Sequence, residues 1–154
     1  MPEPQWLTDQ EQSTWRALVA IIQTVDYQLE RQLQRDAQIT RAGYVVLVAL
    51  SEHEQDTPRM SDLARSLAWS QSRLSHAMAS LVKSGWVRHI PCPTDKRSTL
   101  AQLTEKGRQK LAESAPGHVA TVRHLVIDAL TDEQQRVLRQ ISAAITARAD
   151  PPTP

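Results

Sequence analysis

Apolar residues recur at steps of three and four through Trp15, Leu18, Val19, Ile22, Val25, Leu29 and Leu33, the spacing of one stripe along an amphipathic helix. Thr8-Asp9-Gln10-Glu11 stands before that stripe as a capping box, a hydroxyl followed three residues later by a glutamate. The predicted helix runs to about 25 residues, roughly twice the usual length. Long helices at a chain end often pack on another subunit. A second helix is predicted over about 40–52, with Val45, Leu47, Val48 and Leu50 mostly buried. The polar stretch 53–58 ends in Pro58 and reads as a loop.

The middle of the chain is a tight group of short elements. Ser61-Asp62 is expected to cap a short helix carrying Leu63, Ala64 and Leu67, and Ala68-Trp69 to make a turn. Ser70 then caps a helix over 71–84, with Leu74, Ala77, Met78, Leu81 and Val82 on one face and Gly85 at its stop. Two short helices joined by a turn describe a helix-turn-helix. Residues 86–90 alternate as a strand, 98–103 form a second, and the tip Pro91-Cys92-Pro93-Thr94-Asp95-Lys96-Arg97 joins them as a wing. Thr104 caps a helix running towards 129, which Pro116-Gly117 should kink or break. Thr131-Asp132-Glu133-Gln134 is a second capping box, opening a last helix with Val137, Leu138, Ile141, Ala144 and Ile145 on its apolar side; 150–154 is a frayed tail. The fold class is mainly α: one domain, a winged helix-turn-helix between helical ends.

Composition adds exclusions. The 154 residues, 40% hydrophobic and 23% charged, suit one globular domain with a real core. No apolar run approaches the roughly 18 residues of a membrane helix, and the N-terminus lacks the basic-then-apolar pattern of a secretory signal. A cytoplasmic protein without a membrane partner is therefore expected. One cysteine and five scattered histidines give no zinc framework; His118 and His124, six apart, fall on different helix faces. No metal or other cofactor is expected. With four glycines, no phosphate loop, no nucleophile elbow and no histidine–carboxylate pair at catalytic spacing, the chain does not read as an enzyme.

Net charge is only +1, but it is segregated. Between Arg59 and Lys110 ten basic residues face three acidic ones, giving +7, while the remainder carries −6. A basic middle between acidic ends points to a polyanion-binding centre on a scaffold that does not touch the polyanion. The helix 71–84 has no carboxylate to repel phosphates, and its polar face carries Gln71, Ser72, Arg73, Ser75, His76, Ser80 and Lys83. Arginine pairs best with guanine and glutamine with adenine, and small hydroxyl residues permit close approach to the major groove. Ser70 and Ser72, with the first free N–H groups of the helix, suit a phosphate. In the wing, Asp95 is placed to orient Arg97, with Lys96 beside it, for insertion into a narrow minor groove.

Helix order and motifs together resemble the MarR (multiple antibiotic resistance regulator) family. The residues that carry the resemblance are Met60-Ser61-Asp62-Leu63-Ala64, Ser70-Gln71-Ser72-Arg73-Leu74-Ser75, Leu81-Val82-Lys83-Ser84-Gly85-Trp86-Val87-Arg88, and Asp95-Lys96-Arg97 leading to Leu103-Thr104-Glu105-Lys106-Gly107. Ala68-Trp69 departs from the Leu-Gly-Leu turn common in the family. The resemblance covers about 8–148 and implies one MarR-like domain: dimerisation helices at about 8–36 and 118–148, a winged helix-turn-helix at about 40–104, and a linking helix at about 105–130. It further implies a homodimeric repressor of a palindromic operator in double-stranded DNA, released by a small aromatic or phenolic ligand. Family members hold effectors between the dimerisation helices and the DNA-binding lobe, which here suggests Trp15, Arg16, Tyr27, Tyr44 and His118.

Two alternatives stay open at the level of sequence. One is a winged-helix module that binds protein without specific DNA binding; its signature would be an apolar or acidic recognition face, which 71–83 lacks. The other is a redox-responsive regulator using Cys92, whose thiol Arg88, Lys96 and Arg97 could activate. If the wing arginine enters the minor groove, Arg97→Ala should cost affinity broadly and not at one base pair alone. Titration of operator and random duplexes checks this, and a loss confined to one base pair would contradict it.

Overall fold

The computed structural model describes residues 5–53, 57–93, 95 and 98–149. Helix α1, Asp9–Ala37, begins at the capping box: the Glu11 N–H donates to the Thr8 hydroxyl, and the Glu11 carboxylate accepts from the Thr8 N–H at 2.8 Å. Its stripe is buried only towards the C-terminal end, at Leu29, Gln32, Leu33 and Ala37. Helix α2, Arg41–Ser51, follows a left-handed Gln38 and a Thr40 cap. Its buried face is Tyr44, Val46, Leu47, Ala49 and Leu50, whereas Val45 and Val48, expected inside, are half-buried at its edge.

Helix α3, Met60–Ser66, has Arg59 as its N-cap and no side-chain cap, so Ser61 and Asp62 lie inside the first turn and not at the cap expected for them. The backbone before α3 explains the shift. The Ala101 N–H donates to the Pro58 carbonyl at 3.0 Å, and Arg59 bridges to Leu100, so this stretch, a loop by its sequence, runs beside the wing. Helix α4, Gln71–Lys83, is capped by the Ser70 hydroxyl and stops at Gly85, whose φ of 73° is open to a residue without Cβ. Leu74, Ala77, Met78 and Leu81 are buried as expected; Val82 is exposed, because it lies beyond the edge of the stripe.

The wing pairs β1, Val87–Pro91, with β2, Thr99–Leu103, antiparallel with Val87 opposite Leu103 and His89 opposite Ala101. Val87, Ala101 and Leu103 face the core. Helix α5, Glu105–Val122, runs through Pro116 and is not broken there. The helix is flanked by α1, where Gly117 comes so close that a Cβ would sit 2.8 Å from Gln32 Nε2. The regular pattern gives way only later, in a π-helical turn at Arg123–Ile127, closed by the Asp128 N–H on the Arg123 carbonyl. Helix α6, Asp132–Thr146, opens with the second capping box, Thr131 with Gln134.

One core joins these elements. Leu33, Val46, Leu47, Leu63, Leu74, Met78, Leu81 and Val87 are almost wholly buried, drawn from α1 to α4 and β1. By contrast α6 buries no residue at all. Val137, Leu138, Ile141 and Ile145 are exposed. The first three of these, with Ile21 and Val25 of α1, border an apolar groove of about 600 Å³.

Where β2 meets α5, packing leaves no slack. Thr104 caps α5 by accepting from the Gly107 N–H at 3.0 Å, while its own hydroxyl proton is shared between the Gly85 and Trp86 carbonyls at 2.8 and 3.0 Å. A Cβ at Gly107 would fall 2.1 Å from the Trp86 carbonyl oxygen, an impossible contact with backbone. Gly107→Ala should therefore destabilise the fold by about 1–3 kcal/mol, more than Gly43→Ala, whose nearest neighbours are side chains at 3.2 Å. Urea unfolding of the two variants checks this; equal midpoints would contradict it.

Candidate nucleic-acid interface

The predicted DNA-contacting residues of α4 fall on one surface. Gln71, Ser72, Arg73, Ser75, His76, Ser80 and Lys83 are all exposed, while the opposite side of the helix is sealed into the core. The sequence spacing dictates this, since buried residues at 74, 77, 78 and 81 leave the intervening positions outward. Ser70 is already used: its oxygen accepts from the Arg73 N–H at 3.2 Å, leaving its hydroxyl proton to donate. Between the starts of α3 and α4 and the wing lies a recess of about 570 Å³, bordered by Arg59, Ser61, Gln71, Ser75, His89 and Thr99. Sequence alone does not mark Arg59 and His89 as contact candidates. Arg59 is visible there only as the first cation of the basic segment, and its place beside the wing depends on a single backbone bridge.

At the wing, Asp95 accepts from the Ser98 hydroxyl at 2.6 Å, and its backbone carbonyl accepts from the Ser98 N–H. Asp95 thus shapes the loop. The expected roles of Lys96 and Arg97, including an Asp95–Arg97 pairing, lie outside the described residues. Cys92 is buried, and burial works against the oxidant-sensing alternative. Among the described residues no group of histidine, cysteine and acidic side chains could hold a metal ion, and no helix is long and apolar enough to cross a membrane.

By sequence Trp69 is only part of a turn, yet its ring lies beneath the Arg73 guanidinium, 4.3 Å from carbon to centroid. The turn that places it carries Ala68 in the left-handed region at φ 52°. Here alanine bears a strain that glycine would avoid.

The residues suggested for an effector separate into groups. Tyr44 and His118 come together, ring centroids 4.3 Å apart, beside a cavity of about 270 Å³ shared with Arg41, Val45, Val48 and Leu67. Trp15, Arg16 and Tyr27 do not border it; they stand exposed along α1, and Arg16 donates to Gln12 at 3.1 Å. Burial raises the Tyr44 pKa and lowers that of His118, which the nearby Arg41 charge lowers further.

The family model described as MarR family matches residues 37–98. Over 99% of this chain and 98% of the other, the structure is similar to that of Sco3205, a MarR family transcriptional regulator from Streptomyces coelicolor solved in complex with DNA, at 43% identity and a TM-score of 0.90. The chain belongs to the MarR family. AbsC, a MarR family transcriptional regulator from the same organism, is similar at 40% identity and a TM-score of 0.86, with 94% of this chain and 97% of that one covered. Transcriptional repressor MprA of Escherichia coli is 28% identical over 112 residues, 73% of this chain. That match spans 63% of MprA's length. The MarR family model includes α2 to α4 and the wing tip, the part that presents the exposed polar face.

The His118 ring gives a pH prediction. Its folded-state pKa lies below the ordinary value of 6.5, so its contribution to stability is complete above that value. As pH falls below it the unfolded chain takes up the proton first, and stability is lost until the folded-state value is passed. The urea midpoint should drop between pH 7.5 and 5, and His118→Gln should drop less. Parallel pH profiles for the two proteins would contradict this.

Proposed function

We propose that this protein is a sequence-specific DNA-binding transcriptional regulator, working as a homodimeric repressor of a palindromic operator. The observation that carries the reading is α4: a helix free of carboxylates, anchored by four buried residues, with arginine, glutamine, histidine and serine facing outward. Gln71, Ser72, Arg73, Ser75 and His76 are the base-contact candidates; Ser70 and Lys83 serve phosphates, and Arg97 with Lys96 serves the minor groove, Asp95 shaping their loop. The similarity along nearly the whole chain to Sco3205, a regulator solved in complex with DNA, supports DNA as the partner.

The dimer reading rests on the apolar faces of α1 and α6. A single chain leaves Ile21, Val137, Leu138 and Ile141 in water, and a second copy would cover them. Two-fold pairing would set two copies of α4 about 34 Å apart, in successive major grooves. The division of labour follows: about 8–36 and 118–148 dimerise, 40–104 bind DNA, and 105–130 link the two. A small aromatic or phenolic ligand would fit the cavity beside Tyr44 and His118, whose wall includes Arg41, paired with Asp26 at 2.7 Å. Trp15, Arg16 and Tyr27 lie on the arm that a second copy would approach. The protein would act in the cytoplasm, where its DNA is.

The test is binding to a fragment from upstream of its own gene against random DNA, at two salt concentrations. Specific binding with a steep salt dependence is expected, and Arg73→Ala should cost about 1–3 kcal/mol and relax choice at one base pair. Binding to neither DNA at low salt would overturn the reading.

A further inference from the structure

Around the helix-turn-helix three arginines are held by oxygen acceptors and a fourth by an aromatic ring. Arg65 donates to Asp62 at 3.1 Å, Arg88 to the Gln102 side-chain oxygen at 2.6 Å, and Arg108 to Glu105 at 3.0 Å. Each spends N–H donors on a neighbouring oxygen. Arg73 is held instead by the face of Trp69, and among the described residues no oxygen accepts from its side chain. A cation is attracted to the ring face by the quadrupole of the ring, so Arg73 is restrained without a strong acceptor occupying its N–H fork.

The ring itself is fixed. Trp69 packs against the core, its backbone N–H donates to the Ala64 carbonyl at 2.9 Å, and Ala68 before it is turned left-handed. On its other side Ser70 caps α4 through the Arg73 N–H. Trp69 and Arg73 are thus locked one helical turn apart by backbone on both sides. A free arginine gives up much rotamer entropy when fixed on a base; one restrained beforehand gives up less.

We propose that Trp69 is a positioning residue for base recognition: the turn fixes the indole, the indole holds the Arg73 guanidinium, and the free N–H fork is presented to a guanine edge in the major groove. This rests on the DNA-binding reading above. It goes further in making one step of the sequence preference depend on a residue that need not touch DNA.

The test has two arms on the full chain. In the first, wild type, Trp69→Leu, Trp69→Phe, Arg73→Ala and the Trp69→Leu/Arg73→Ala double variant each select from a pool of random duplexes. Arg73→Ala identifies the base pair it reads. Trp69→Leu should lower preference at that same base pair by about three- to tenfold, with the other positions and the salt slope unchanged. Trp69→Phe should fall between, and the double variant should match Arg73→Ala there. In the second arm, the Arg73 side-chain Nε–H of the free wild-type protein should be ordered and shifted by the indole ring current in NMR, a readout that needs no variant to fold.

Unchanged preference in Trp69→Leu, sharpened preference, uniform loss at every position, or a mobile Arg73 Nε–H would each overturn the proposal while leaving the DNA-binding reading intact. A wild-type protein that selects no sequence would overturn that reading and the proposal with it.

Discussion

The joint at Thr104 and Gly107 is the constraint on which the remaining geometry depends. One threonine caps α5, donates to the carbonyls that follow α4, and ends β2 at the buried Leu103. Lys106 adds a bond from its ammonium to the Ser84 carbonyl at 2.9 Å. The Ser84, Gly85 and Trp86 carbonyls just past α4 thereby find donors at the start of α5, and the absent Cβ at Gly107 lets the two backbones touch. Within Leu-Thr-x-x-Gly the leucine anchors the strand in the core, the threonine caps the helix, and the glycine permits the close approach. Helix α4, the wing and α5 are set relative to one another by this one joint.

From there α5 carries the arrangement towards the chain ends. It packs along α1 through the close approach of Gly117 to Gln32, and Gln135 of α6 donates to the Ile127 carbonyl at 3.1 Å, binding the last helix to the π-helical turn. The apolar faces of α1 and α6 are consequently held in a fixed relation to α4. In the proposed dimer that relation becomes the spacing of two recognition helices. The Tyr44–His118 cavity lies between α1, α2 and α5, so a ligand entering it would press on the elements that set this spacing.

Much of this is legible in the sequence because its signals are local. Thr8, Ser70, Thr104 and Thr131 each accept an N–H from three residues ahead, and Gly85 takes the left-handed turn expected of it. Periodicity places the face of α4 correctly except at Val82. What escapes it is non-local. The pairing of Pro58 and Arg59 with the wing involves two residues without alternation, and it moves the start of α3 away from the Ser61 cap. Pro116 has the look of a break because its local penalty is large, but α1 holds the helix around it. The stacking of Trp69 on Arg73 depends on the left-handed Ala68, which no local pattern announces. Trp15 belongs to the α1 stripe, yet that stripe enters the core only from Leu29 onward, and Trp15 stands exposed.

In the proposed assembly two α4 helices, coupled through α1, α5 and α6, read one palindrome. The direct measurement is the mass of the protein–operator complex together with a hydroxyl-radical footprint on that operator. Two chains per duplex and two protected segments centred about one helical turn apart on one face of the DNA are expected. A single chain on a single protected segment would contradict it.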